Sequence, residues 1–449
     1  MEILVITGSP KGQDSVTFQH IKYLEIRYPM HHFAVLHAGK NIRALEKDFS
    51  PALATMEKAE LVLFVYPVYT FLAPSQLQHF IALMKANKAP VAGKYMSQIT
   101  TSKHFYDVTA HSYVQQNCQD MGMKAVRGLS ADMEDLLSPK GRQEAVSFFE
   151  DLLWQMGQGF SEPAIPSLPF TPIPATLPET ASEAKPGDVV IVADIDPADA
   201  VLQTMVDRFQ RKLNRKSRVV NLREFPFQGG CLGCFHCATD GQCVYKDGFD
   251  RFLREEIQTA EAILYAYTIT DHSQGWRFKL YNDRQFCNGH RTVTMGTPMG
   301  YLINGPYSRE FNLQMVVEGR CQVGGNFLCG VATSEGDTDR RIDMLAATVE
   351  RAITAKSQRP QNFWGVGGMK IFRDLIWQMQ GMMKADHRFF KAHGQYDFPQ
   401  KHRLTMMKMY LVGAMIANPS LRKKLGNKLN EGMLMPYEKV LKEVREGKL

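Results

Sequence analysis

The sequence predicts an α/β chain made of two doubly wound parallel sheets in tandem, followed by a helical C-terminal extension. Three observations carry that expectation. Strand-like apolar runs alternate with helical patterns through residues 1–157, and the alternation restarts after residue 187. Between the two runs, seven prolines fall from Pro163 to Pro186, in a stretch that suits neither a helix nor a central strand. From Gln361 onward the pattern is helical, rich in Met and aromatics, and ends basic.

The first half opens on "EILVIT" as a buried strand, and "HFAVLH", "ELVLFVY", "MSQITT" and "MKAVRGLS" supply four more. Helical patterns lie between them, such as "PSQLQHFIALMKA" with Pro74 at an N1-like position. Five such units need a parallel sheet with helices on both faces, and the flavodoxin-like order 2-1-3-4-5 is expected. Residues 158–186 read as an extended, polyproline-like linker. The second domain, 187–358, repeats the scheme. Its strands are "DVVIVAD", "SRVVNL", "AILYAY", "RTVTMG" and "FLCGV", with one helix running through Phe209 and another to about Ala355. The halves read as divergent copies of one flavodoxin-like domain. Residues 359–449 form the extension.

Composition places limits on function. At 449 residues the chain accommodates two domains and an appendage. "MEILVITGSP" begins at once as a strand, so no signal peptide is expected. The longest apolar run, Leu404–Ala417, is too short for a bilayer span and carries Lys408, so no transmembrane segment is expected. Cys118, Cys287, Cys321 and Cys329 are scattered, which argues against a disulfide framework and for a reducing, cytoplasmic compartment. The net charge of +7 belongs to residues 401–449, with eleven Lys/Arg against four Asp/Glu. The first 400 residues are neutral on balance, and no nucleic-acid partner is expected.

Chemistry is expected at the carboxyl ends of the strands. After the first strand, "ITGSPKGQDSVTFQ" supplies Gly8 and Gly12 for close approach, hydroxyls on Ser9, Ser15 and Thr17, and the charge of Lys11. With the free N–H groups of a helix start these form an anion cradle. It is neither G-x-G-x-x-G nor a Walker A loop, so a phosphomonoester fits better than a dinucleotide or ATP. A Ser-capped helix after a polar turn would use the same residues. After the third strand, Pro67 fixes a turn and Tyr69 offers a flat face. After the fourth, "TTSKHFYDVTAH" offers hydroxyls, His104, Tyr106 and Asp107. Phosphate donors, a ring face and polar edge-readers converging at one rim suit a flavin.

The densest signal is "CLGCFHCATDGQC". Cys231, Cys234, Cys237 and Cys243 follow C-x2-C-x2-C-x5-C. Three thiolates in succession and a fourth after a short turn suit a [4Fe–4S] cluster. Structural zinc usually takes two knuckles on a longer arm, and a loop that has lost its metal is the remaining alternative. By contrast, the loop after the first strand of the second domain, "ADIDPADAV", puts Asp194, Asp196 and Asp199 where a phosphate cradle needs donors.

"GSPKGQDSVT", "YPVYTFLAPSQLQHFI" and "TTSKHFYD" resemble the NAD(P)H-dependent FMN reductase and flavodoxin-like quinone reductase superfamily. The cysteine loop resembles that of the iron–sulfur flavoproteins. The resemblance implies that Ser9, Lys11, Ser15, Val16 and Thr17 hold the FMN phosphate. It implies that Pro67, Val68, Tyr69 and Thr70 lie along the isoalloxazine, and that Thr101, Ser102 and His104 flank its polar edge. Lys11 stands where Arg is usual, which loses the bidentate fork and keeps the charge. The chain is then expected to be a fused pseudo-dimer with one FMN and one [4Fe–4S] cluster, taking electrons from NAD(P)H or a ferredoxin-like carrier. It would reduce a small quinone-like or other acceptor. The rival expectation is a non-enzymatic electron-transfer protein that docks a redox partner through its basic tail. A homodimer is compatible with either. No nucleophile triad emerges, and no catalytic side chain is assigned. The aromatic and Met-rich stretch from Phe363 reads as a helical cap on the domains, or as a lid over the flavin. The tail from Ser420 reads as an amphipathic basic helix, which suits an acidic carrier or an anionic membrane surface.

Overall fold

The computed structural model describes residues 1–166, 168–179, 185–420 and 428–448. The chain forms two units, Met1–Phe389 and Phe390–Leu449.

The first unit holds both sheets. In order, its first half runs β1 Glu2–Thr7, α1 Val16–Arg27, β2 His32–Leu36, α2 Ala38–Lys47, α3 Ser50–Lys58, β3 Leu61–Pro67, α4 Ser75–Ala86, β4 Tyr95–Ser102, α5 Asp107–Asp120, β5 Lys124–Ala125, β6 Leu129–Asp132 and α6 Pro139–Gly157. All strands pair in parallel in the order β2-β1-β3-β4-β5, with β6 also on β4. This is the expected flavodoxin-like order. The strand expected at "MKAVRGLS" is split into β5 and β6. Gly128 sits between them, and a Cβ there would meet the Gln98 backbone oxygen at 2.5 Å.

The second half runs β7 Lys185–Ala193, α7 Ala200–Lys212, β8 Arg215–Asn221, α8 Phe249–Phe252, β9 Ala262–Thr268, α9 Trp276–Arg284, β10 Pro298–Asn304, α10 Phe311–Gly324, β11 Phe327–Thr333 and α11 Thr338–Ala355. Its sheet, β11-β10-β9-β7-β8, has the same topology. One expected strand was misplaced. "RTVTMG" is not a strand; the next segment, Pro298–Asn304, takes its place. An inner strand of a parallel sheet must be buried on both faces. All seven residues of β10 are buried, whereas Val293 and Met295 stand exposed. Pro298 and Gly300 concealed the strand from a propensity reading.

The two domains meet through equivalent elements. α4 packs on α9 and α5 on α10, each helix following the third or fourth strand of its own sheet. Like meets like, as across a two-fold axis. The His79 and Trp276 rings stack at 3.7 Å, and the buried Tyr113 hydroxyl donates to Asp271 at 2.7 Å.

Two boundaries differ from expectation. Residues 158–179 lack regular secondary structure among those described, but they are not a free spacer: Ile173 donates its N–H to Ser334 O at 2.8 Å, and Thr338 donates to Ile173 O at 2.9 Å. The stretch 180–184 of the expected linker lies outside the described residues. The extension expected from residue 359 starts within the first unit. α12, Phe363–Gln378, packs on α10, and its Trp364, Met369 and Phe372 join the core beneath the first sheet. α13, Lys384–Ala392, follows. The second unit contains α14 Arg403–Ala417 and α15 Lys428–Arg445. Residues 421–427 of the expected tail helix lie outside the described residues.

Candidate functional site

A cavity of about 420 Å³ opens at the carboxyl end of the first sheet. That volume lies in the range of small-molecule sites. Three sequence-predicted groups line it: Ser9, Lys11, Ser15, Val16 and Thr17 from the turn after β1; Pro67, Val68, Tyr69 and Thr70 after β3; and Thr101 and Ser102 at the end of β4. Cys231, Cys234, Cys237 and Cys243 line the same cavity from the second domain. His104 does not line it. Its Nδ1 pairs with Asp107 at 2.9 Å, and at φ 57° its backbone is in the left-handed region, which carries the ring away on the turn into α5.

The turn after β1 keeps its polar groups available. Ser9, Ser15 and Thr17 are buried, and the Ser15 side chain does not cap α1. The first-turn N–H groups of α1 therefore carry no side-chain acceptor, the condition in which a helix start attracts an anion. The Thr17 and Thr101 hydroxyls share a 2.6 Å hydrogen bond that ties this turn to β4. Lys11 lies 5.6 Å from the Phe235 ring, and among the described residues it makes no ion pair. Gly8 is required here: a Cβ would stand 2.6 Å from Leu77 Cδ2 and 2.9 Å from Tyr66 Cβ. This donor set fits a phosphate.

The turn after β3 is held from across the domain interface. Thr70 and Phe71 have φ of 41° and 76°, in the region non-glycine residues avoid. Buried Lys279 donates to Tyr69 O at 2.8 Å. Its ion-pair partner Asp283, equally buried, accepts from Thr70 Oγ1 at 2.9 Å and from Ser75 N at 2.8 Å. Two side chains of α9 thus fix a strained turn of the other domain.

The cysteine loop lies against that turn. Gly233, at φ +60°, passes so close to Tyr69 that a Cβ would stand 2.1 Å from the phenol oxygen. Gln76 Nε2 donates to Cys231 O at 3.1 Å, Gly233 N approaches Cys231 Sγ at 3.5 Å, and the Cys237 thiol donates to Phe286 O at 3.1 Å. Arg284 is fully buried between Asp247, at 2.7 Å, and Cys243 Sγ, at 3.8 Å. Burial pushes the Cys231 thiol up and the Cys237 thiol to about 11, the reverse of what a nucleophilic thiolate needs. All four cysteines are free of disulfides. No group of three or more His, Cys, Asp or Glu side chains stands in metal-holding geometry among the described residues. The donor chemistry suits a soft metal or an iron–sulfur cluster.

Phe286 to Thr294 contribute a wall from the second domain that was not predicted, and Phe372, Leu375, Met379 and Met383, from the stretch read as a cap or a lid, contribute an apolar side. Asp386 anchors this part: it accepts from the His290 N–H at 3.1 Å and lies 3.5 Å from Arg291 Nε. The run from Arg291 is read from sequence as a strand, which hides its place in this wall.

The corresponding end of the second sheet is arranged differently. Asp199 caps α7 at Leu202 N, 3.0 Å away, and also accepts from Asn304 Nδ2 at 3.2 Å and from Thr268 Oγ1. A carboxylate thus occupies the helix start. Arg223 binds Asp194 at 2.7 Å and Asp196 at 2.6 Å. Leu168, Phe170 and Pro172 of the proline-rich stretch close over a second cavity at the tips of β9 and β10.

Comparison with known proteins agrees with this geometry in the first domain. Residues 1–133 match the profile of the family described as NADPH-dependent FMN reductase. No curated protein matches the chain. Among solved structures it is similar to an apo NADH:FMN oxidoreductase, with 17% identity, TM-score 0.30, and coverage of 34% of this chain and 89% of that one. It is also similar to an FMN-dependent NADH-azoreductase from Bacillus anthracis in complex with FMN, with 15% identity, TM-score 0.26, and coverage of 35% and 99%. An NAD(P)H:quinone oxidoreductase from Methanothermobacter marburgensis gives 11% identity, TM-score 0.28, and coverage of 35% and 96%. No helix among the described residues is long and apolar enough to cross a membrane.

Proposed function

We propose that the chain is a flavin-dependent NAD(P)H oxidoreductase that holds one FMN in the cavity of the first domain. One [4Fe–4S] cluster would sit on the Cys231–Cys243 loop. The observation that carries this reading is the shared cavity, lined by both the phosphate-cradle turn and all four clustered cysteines. When bound, FMN exchanges a hydride for single electrons, and a [4Fe–4S] cluster carries one electron at a time.

The chain's own residues have three tasks. Ser9, Ser15 and Thr17, the first-turn N–H groups of α1 and the Lys11 ammonium receive the phosphate dianion. Lys279 and Asp283 hold Tyr69 and Thr70 in place along the ring. Phe372, Leu375, Met379 and Met383 exclude water from the far side and favour a flat apolar acceptor, such as a quinone. Cys231, Cys234, Cys237 and Cys243 would ligate the cluster, with Arg284 offsetting its negative charge beside Cys243. The second domain keeps its fold without a flavin, because Asp199 fills the helix start where a phosphate would bind.

Anaerobic purification followed by an absorption spectrum with iron, sulfide and FMN analysis tests this. The expected result is one FMN and about four irons per chain. A Cys231→Ser/Cys237→Ser variant should lose the iron and keep the flavin. Flavin without iron, or zinc in its place, would leave an FMN reductase and remove the cluster. Turnover with NAD(P)H and a quinone, set against turnover with reduced ferredoxin, identifies the donor.

A further inference from the structure

We propose that the C-terminal unit docks on an anionic lipid surface, with α14 and α15 lying in the interface. The argument rests on this unit alone and is independent of the flavin reading.

α14 is apolar along nearly its whole length, yet it is exposed. Leu404 is 76% exposed, Met407 63%, Tyr410 78% and Leu411 67%, and only Val412 among its described side chains is partly buried. A helix apolar on every side belongs in a protein core or in lipid, not in water. At 15 residues it is about 22 Å long, short of the roughly 30 Å hydrocarbon layer, so it can lie in a membrane surface but not span it. α15 is amphipathic. Leu434, Tyr437, Leu441 and Val444 recur at helical spacing and are all about half exposed or more. Its charged residues fall between them, with Lys439 facing Glu443 and Lys442 facing Glu446.

Charge selects the occupant. Residues 401–449 carry eleven Lys/Arg and four Asp/Glu. A second copy of the unit would bring the same positive charge against itself. An acidic soluble protein would satisfy the lysines but leave α14 in water. An anionic bilayer satisfies both: lipid phosphates meet the lysines and arginines, and the acyl boundary takes Leu, Met and Tyr. Lys408, inside the apolar run of α14, can extend its stem and keep its ammonium at headgroup level.

The test is cosedimentation of the full chain with vesicles of phosphatidylcholine, with and without phosphatidylglycerol, at low and high salt. Binding to the anionic vesicles is expected, weaker at high salt and weaker still on the neutral ones. Met407→Glu/Tyr410→Glu/Leu411→Glu should lower the bound fraction about tenfold at unchanged FMN content and circular dichroism. Lys439→Glu/Lys442→Glu/Arg445→Glu, which leaves the apolar faces intact, should erase the preference for anionic lipid. Equal or no binding to the two vesicle types at low salt overturns the proposal, as does a first triple variant that binds like the parent. A lipid-free dimer that this variant turns into a monomer assigns the face to a second copy, and capture by an acidic protein in place of vesicles assigns it to that class; either outcome overturns it too.

Discussion

In the first α/β domain, the turn after β1 leaves the start of α1 without a side-chain cap, and the Lys11 ammonium has no ion pair among the described residues. In the second domain the turn after β7 is already satisfied, with Asp199 on the start of α7 and Arg223 across Asp194 and Asp196. The strand order is the same and so is the way the helices meet. What differs is the helix start itself, which carries no side-chain cap in one domain and is filled by a carboxylate of the protein in the other. The same fold is thus an open receptor once and a closed scaffold once. That frees the scaffold's next loop to carry four cysteines to its neighbour's rim.

Two experiments break the join between the domains, and two sharpen the contrast. Asp283→Ala leaves the Lys279 ammonium buried and unpaired and releases Thr70 and Ser75. It should cost about 3–5 kcal/mol in chemical denaturation and weaken FMN binding with it. An unchanged midpoint would show that the turn after β3 holds itself. A smaller effect comes from His272, which bridges Asp120 of the first domain, at 2.9 Å, and Glu310 of the second, at 3.0 Å. Burial opposes its charge, but the hydrogen bonds to both carboxylates prevail and raise the imidazole from 6.5 to about 9. A group raised in the fold contributes its full stability below its unfolded pKa. That stability, at most about 3 kcal/mol, is lost as pH rises through about 9. His272→Asn should therefore flatten the fall of melting temperature between pH 6.5 and 9.

Lys11→Ala removes one charge-assisted hydrogen bond, about 1.5–3 kcal/mol, so the FMN Kd should rise about 10- to 150-fold in a fluorescence titration. A Kd that does not move would place the phosphate elsewhere. Least of all, Asp199→Ala removes the α7 cap and should cost about 1 kcal/mol in a thermal melt. The flavin stoichiometry should stay at one per chain, because Asp194 and Asp196 still crowd the turn after β7 and Leu168, Phe170 and Pro172 still close over the tips of β9 and β10. A second equivalent of FMN would mean that Asp199 alone kept the site closed.

Much of this was legible in the residues. Alternating apolar runs marked nine of the eleven strands, because burial within a parallel sheet leaves a continuous apolar signature. Glycine, hydroxyls and Lys11 after β1 marked a turn that lines the cavity. β10 was missed where Pro298 and Gly300 disguise a buried strand, and β6 because a two-part pairing has no local signal. His104 does not line the cavity and pairs with Asp107, a local contact that a sequence pattern does not announce. The contributions of Asp283, Phe372 and Asp386 depend on where other elements fold, and periodicity carries no record of that.

The meeting of α4 with α9 and α5 with α10 within one polypeptide has a practical consequence. A pocket shared between two separate chains falls apart on dilution, and any change to one wall is copied into the other. Here both walls are tethered, so each faces the other at a fixed effective concentration however dilute the protein is. Each can also change alone, which is how a symmetric plan comes to hold a lopsided pocket. Specific activity should accordingly stay constant down to concentrations at which a two-chain version of this site would fade.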